Sequence, residues 1–437
     1  MRSCFRFLLK LSCLLPMAGA CPLSNVKVVH DSGETPPGDT TEDSPDDSGD
    51  DSPTETAESG DSHPGDTAVE EVPGAIRARP CAPLYDPDEL QTFLLEIDEA
   101  EWGALRGDCR AGRQAYHPAR FTWRDETVDA QVRLKGNWSW SCQKLQFIIS
   151  FNEADPDARF HGLRKLVLDA PWYDASMLHE RLAFFFLERH GAPASCVNHA
   201  RLDINGEYYG LYANVERIDR EYLERHFEDP SGYLYQAGRE LKTHEDEPDI
   251  DTSRIDAFWA ARSVEALEEV VDMEAAILAW SGEAMLPDPD SYWAGVEINF
   301  YLYDDPKRGI VFLPYDADIS FGENIWPGLE SADPILWQHT GWLREEQYRV
   351  ALSDPGWCEA YVARVAEARE AYDVALLQSK VDAWSEQIAA AAEEDPHRTW
   401  TLTEHRRSLT DLRSFLERRA AYVDTWLAEG GHCPPAW

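Results

Sequence analysis

Positive charge is scarce in this 437-residue chain: 40 Lys and Arg stand against 81 Asp and Glu, a formal net charge of −41. A protein that grips nucleic acid needs a basic surface to neutralise phosphates, so that class is excluded. Cationic partners, or solubility alone, fit the balance instead. The sequence also lacks CxxC spacing and any Cys/His cluster, which argues against a zinc site. There is no Walker loop, G-x-S-x-G elbow, H-E-x-x-H helix, internal repeat or heptad run, so the familiar motif-based classes do not apply.

What is present begins with MRSCFRFLLKLSCLLPMAGAC, where Arg2, Arg6 and Lys10 precede a short apolar run. Residues 1–20 read as a secretory signal peptide, too short to span a membrane as a mature helix. Ala18, Gly19 and Ala20 directly before Cys21 resemble a bacterial lipoprotein cleavage site, which makes Cys21 the expected lipid anchor; ordinary cleavage nearby is the alternative. Residues 21–74, with runs such as DTTEDSPDDSGDDSPTETAESGDS, hold almost nothing apolar and read as an acidic, disordered tether. From residue 75 onward a folded region is expected, and 43% hydrophobic content with sixteen Trp can build a large core. Cys81, Cys109, Cys142, Cys196, Cys358 and Cys433 remain, enough for up to three disulfides in an exported chain.

Within that region the hydrophobic period changes. Alternation over Phe121 to Leu134 and over Leu145, Phe147, Ile149 and Phe151 predicts strands, as does HGLRKLVL from His161. ARLDINGEYYGLYANVE, Ala200 to Glu216, predicts a hairpin turning at Asn205-Gly206. A helix is expected over Ser176 to His190, and helical patterns dominate from Ile255, including one segment through Val271, another from Ala275 to Met285, and two long amphipathic helices near the C-terminus. The expected architecture is therefore α+β, with a β-rich half (about 75–236) and a mainly helical half (237–437).

The chemistry concentrates in INFYLYDDPKRGIVFLPYDADISFG, Ile298 to Gly322. Its two aromatic and β-branched runs predict a hairpin, and Asp316 and Asp318 follow the second at once. With Asn299 at the start of the partner strand, they suit a hard divalent cation. Asp-x-Asp after a strand also occurs as a plain Asx-turn. Upstream, Asp290 in a Pro-rich loop is a candidate general base or a turn residue. Lys144 is a candidate for phosphate or a solvated surface lysine. Glu216 closes a strand and, if buried, needs a partner such as Lys144.

Several blocks together resemble the CotH kinase family, named for spore coat protein H: VRLKGNWSW, KLQFIISF from Lys144, FHGLRKLVLD, MLHERLA, RLDINGEYYGLYANVERID, INFYLYDD, FLPYDADISFG and FLERRAAYV. The similarity spans roughly residues 120 to 425. It implies an atypical, two-lobed protein-kinase-like fold and transfer of the ATP γ-phosphate to Ser or Thr of a protein with Mg²⁺ or Mn²⁺. By resemblance Lys144 lies on the ATP phosphates with Glu180 or Glu216 as its acidic partner, Asp290 is the base, and Asn299, Asp316 and Asp318 serve the metal. Tyr315 stands where the family often has Trp, Ile298 where it has His or Asn, and Ile148 where it has a second basic residue. Gly136-Asn137 is the nearest thing to a glycine-rich phosphate loop. The expected location is the cell envelope, anchored to a membrane by lipid, and the acidic surface suits a basic protein substrate. A catalytically inactive adhesion or scaffold module on the same fold is the rival. A glycosyltransferase using Asp-x-Asp is another, and it predicts a parallel α/β sheet.

Overall fold

The computed structural model describes residues 72–437 except 77, 137–138, 246, 296–297, 323–327, 337–345 and 435–437. The signal, lipid-anchor and tether expectations fall almost wholly on residues outside this set. Residues Ala68–Trp437 make one compact unit by contact.

The first half is a closed barrel. Strands β1 (Gln91–Glu96), β2 (His117–Trp123), β3 (Glu126–Leu134), β4 (Phe147–Ser150), β5 (Lys165–Asp169), β6 (Val197–Ile204) and β7 (Glu207–Val215) pair in the order β1-β2-β3-β4-β5-β7-β6. Antiparallel ladders run through the barrel until β6 closes on β1 in parallel, with Phe93 opposite Leu202. Alternate residues point inward, as the period of two in β2 requires, and Phe93, Phe121, Phe147, Leu202 and Tyr212 fill the interior. The β6–β7 hairpin turns at Asn205 and Gly206, both with positive φ, the conformation that an Asn-Gly turn supplies. Helix α1 (Glu99–Ala111) packs on β2 and β3.

Helix α2 (His179–His190) starts later than the sequence pattern suggests. Residues 174–178 are held as a turn instead: Asp174 accepts from Ser176 N and His179 N, and Met177 has φ 66°. After α3 (Arg220–His226) a second sheet forms from β8 (Tyr233–Gln236), β9 (Glu240–Leu241), β10 (Phe300–Asp305) and β11 (Gly309–Pro314), ordered β11-β10-β8-β9. The expected hairpin is β10–β11, with Tyr301 opposite Leu313.

The single helix expected through Val271 is two, α4 (Ser253–Ala260) and α5 (Val264–Glu268), because Ser263 caps a new start at Ala266 N. Helix α6 (Met273–Met285) is buried on nearly every side. The C-terminal part holds α7 (Glu346–Ser353), α8 (Pro355–Ala371), α9 (Val374–Glu394) and α10 (Leu402–Ala428), so a third long helix, α9, stands between the two that the sequence pattern suggested. Arg419 of α10 is fully buried and donates to the carbonyls of Ala284, Glu330 and Ala332, which locks α10 to the end of α6.

The fold is α+β, strand-rich first and helical after. Apart from β1–β6 and an isolated Val271–Ile310 bridge, strand pairs among the described residues are antiparallel, which is not the sheet a glycosyltransferase reading requires. The six cysteines pair as Cys81–Cys196, Cys109–Cys142 and Cys358–Cys433. No helix among the described residues is long and apolar enough to cross a membrane.

Candidate active site

Strand β11 ends at Pro314, and the chain then turns sharply at Asp316, whose φ of 55° is left-handed. A non-glycine residue there is strained, and the strain is held by a bond across the hairpin: Asn299 Nδ2 donates to Asp316 O at 3.1 Å. Asp316 and Asp318 are largely enclosed but each keeps an accessible face. The turn runs on to Phe321, whose N–H donates to Leu286 O at 3.0 Å just beyond α6.

The loop after α6 carries Asp288 and Asp290. Asp288 Oδ1 accepts from Asp290 N at 2.8 Å, and its Oδ2 accepts from Ser320 Oγ at 3.2 Å. Glu283 of α6 accepts from Trp293 N at 3.1 Å and holds the far end of the same loop. Glu180 enters from the first turn of α2, buried.

These carboxylates feel one another. Burial, then Asp316, pushes Glu180 up to about 8; Lys135 opposes the shift, and Asp174 and Asp288 add to it. Burial and then Asp316 bring Asp290 up to about 6. Asp318 is raised by burial, Asp316, Glu180 and Asp288, with Lys135 again opposing, and Asp316 is raised by burial against Lys135. Lys135, one residue beyond β3 and paired with Asp169 of β5, is thus the cation acting on Glu180, Asp316 and Asp318 among the described residues.

Lys144 is elsewhere. Its Nζ donates to Asp395 Oδ2 and to Leu211 O, both at 2.6 Å, and lies 4.8 Å from the centre of the Tyr212 ring. Burial lowers its pKa, with Asp395 opposing. Glu216 binds Arg225 through Nη2 at 2.6 Å and Nε at 2.9 Å, and accepts from Cys196 N. The expected pairing of Lys144 with Glu180 or Glu216 is therefore not formed. Lys144 and Glu216 are each satisfied inside the fold by another partner, Lys144 by Asp395, 251 residues away, and Glu216 by Arg225.

The family described as "CotH kinase protein" matches residues 132–423. The chain belongs to this family. The inner spore coat protein H of Bacillus subtilis (strain 168) is 20% identical over 339 residues, covering 71% of this chain and 91% of that protein. An inner spore coat protein H-like protein of the same organism is 38% identical over 55 residues, 13% of this chain and 18% of its own length.

In this CotH-family chain Asp290, Asn299, Asp316, Asp318 and Glu180 share one locality, while Lys144 and Glu216 do not belong to it. Sequence reasoning passed over Lys135 and Asp288. Lys135 stands in the quoted VRLKGN block, where the alternation of β3 gives it the same face as Arg133, and Asp288 is the first acid of Asp-Pro-Asp. Among the described residues no three His, Cys, Asp or Glu side chains are gathered as a ready coordination shell. The donor set is nevertheless of the oxygen type that suits a hard divalent cation, partly accessible at Asp316 and Asp318; burial disfavours ionisation of both, and at Asp318 the neighbouring Asp316, Glu180 and Asp288 add to it.

Proposed function

We propose that this chain is an exported atypical kinase that transfers the γ-phosphate of ATP to a Ser or Thr hydroxyl of a protein. The observation that carries the reading is the convergence of separate segments on Asp316: Asn299 bonds it across the hairpin, it acts electrostatically on Glu180, Asp290 and Asp318, and Lys135 acts on Glu180, Asp316 and Asp318. Phosphoryl transfer needs negative charge neutralised and a hydroxyl oriented. Lys135 supplies a cation for the phosphates, the role the resemblance gave to Lys144. Asp290, at about 6, is mostly ionised at neutral pH and accepts the hydroxyl proton. Asn299, Asp316 and Asp318 would hold Mg²⁺ or Mn²⁺, which when bound neutralises phosphate charge.

Three disulfides support folding in an oxidising compartment, and lipid on Cys21 would keep the enzyme at the cell envelope. A basic protein is the substrate class that suits the charge of −41. One specific observation favours the rival, a non-catalytic scaffold: the lysine expected on the phosphates is locked to Asp395.

Calorimetry of ATP binding with and without Mg²⁺, on the purified protein and on Asp316→Asn, separates the two readings. Mg²⁺-dependent binding that the variant loses supports the kinase. Absence of binding at millimolar ATP supports the scaffold.

A further inference from the structure

We propose that Asp288 is a positioning residue that fixes Asp290 to the turn presenting Asp316 and Asp318, so that the proton acceptor and the metal-side groups keep one geometry. The inference deepens the kinase reading and rests on it for its catalytic consequence. Its structural content stands on hydrogen bonds alone.

Asp288 is 3% exposed, and its two oxygens face two different segments. Oδ1 takes the backbone N–H of Asp290 at 2.8 Å, which sets the direction in which the Asp290 side chain leaves the loop. Oδ2 takes the hydroxyl of Ser320 at 3.2 Å, two residues beyond Asp318. The backbone carbonyl of Asp288 accepts from Ser291 N at 3.3 Å and Ser291 Oγ at 3.0 Å, and Ser291 Oγ in turn accepts from Ala294 N at 3.3 Å. The loop is thereby wound on Asp288 as a spool. A second strut, Phe321 N to Leu286 O at 3.0 Å, runs alongside the Ser320 bond. Asp290 on one segment and Asp316 with Asp318 on the other then have little freedom to drift apart, and a misplacement of about 1 Å at such a pair is enough to cost on the order of 100-fold in rate.

An ordinary surface Asx-turn would use one oxygen locally and leave the other to water. Here the second oxygen is buried and spent on the opposite turn, which is why the residue acts between segments.

The test compares Asp288→Ala, Asp288→Asn and Ser320→Ala in the whole protein by hydrogen exchange and by ATP-dependent phosphotransfer to a basic model protein. Asn keeps an oxygen for Asp290 N and offers an amide to Ser320, so it is expected to rescue; Ala removes both bonds. Exchange in Asp288→Ala is expected to rise together in residues 288–295 and 317–322, with Asp288→Asn close to the parent and Ser320→Ala intermediate. Faster exchange in only one of the two segments overturns the coupling. This readout needs no activity, so a parent protein without phosphotransfer overturns the kinase reading and leaves the positioning result standing on exchange. With activity present, Asp288→Ala is expected to lower kcat by about 10- to 100-fold while KM for ATP changes little. An Asp288→Asn variant as inactive as Asp290→Asn overturns the positioning role, since it would make the charge of Asp288 itself the requirement. If Asp288→Ala does not fold, Ser320→Ala carries the exchange test with the same criteria.

Discussion

Two lysines nine positions apart meet different fates, and the contrast decides what each substitution should do. Lys144 is 2% exposed, with its ammonium between Asp395, Leu211 O and the Tyr212 ring. Asp395 itself is fully buried and also accepts from Leu211 N at 3.0 Å and His397 N at 2.8 Å. Removing Lys144 leaves that carboxylate without its counter-charge, so Lys144→Ala should destabilise by about 3–5 kcal/mol in denaturant titration. Lys135 is less enclosed than Lys144, its side chain 15% exposed beside an equally exposed Asp169, so Lys135→Ala should destabilise less than Lys144→Ala while weakening Mg²⁺-ATP binding at least about tenfold, roughly one charged hydrogen bond. A Lys144→Ala protein that stays as stable as the parent would return Lys144 to the list of ligand-binding groups. The difference was not legible in the sequence. A lysine before a strand looks the same whether it reaches a phosphate or a carboxylate contributed 251 residues later.

At the scale of elements, local signals were read well and long-range ones poorly. Both hairpins followed from alternation and turn chemistry, because the Asn205-Gly206 pair and the polar stretch between β10 and β11 leave few other conformations. The grouping of Asn299 with Asp316 was legible for the same reason, since one hairpin brings its two ends together. Helix α9 was missed where QIAAAAEE blurs the apolar stripe; Leu377, Val381 and Trp384 bury its other end against the core. Its neighbours α8 and α10 are fastened by Cys358–Cys433, which closes 75 residues around all three helices. Cross-linking acts mainly on the unfolded chain, and a loop of this length corresponds to about 4 kcal/mol. The double variant Cys358→Ala/Cys433→Ala should therefore lose stability of that order in denaturant titration, with exchange rising first in α8–α10. A loss below about 1 kcal/mol would mean that packing of the three helices already restricts the unfolded ensemble.

For the whole molecule the governing quantity is negative charge, some of it solvated and some buried. The net charge of −41 makes the folded state repel itself as pH rises, a long-range effect that salt screens. Buried carboxylates add a second, short-range effect of the same sign. Glu283 is 5% exposed and burial pushes it up to about 8, with the Trp293 N–H opposing. A carboxyl whose folded pKa lies above its unfolded value of about 4.5 contributes stability that is fully present below that value and is lost as pH climbs through 8. Between pH 6.5 and 9 this one group should account for about 2 kcal/mol of lost stability, before any contribution from Asp219, which burial and Glu221 bring up to about 7. Glu283→Gln keeps an oxygen for Trp293 N and cannot ionise. Its stability should fall less steeply than that of the parent over this range, and the difference should persist in 0.5 M salt, because a charge inside the protein is poorly screened. If salt erases the difference, surface repulsion alone sets the alkaline limit, and Glu283 must reach solvent through the loop that carries Asp290.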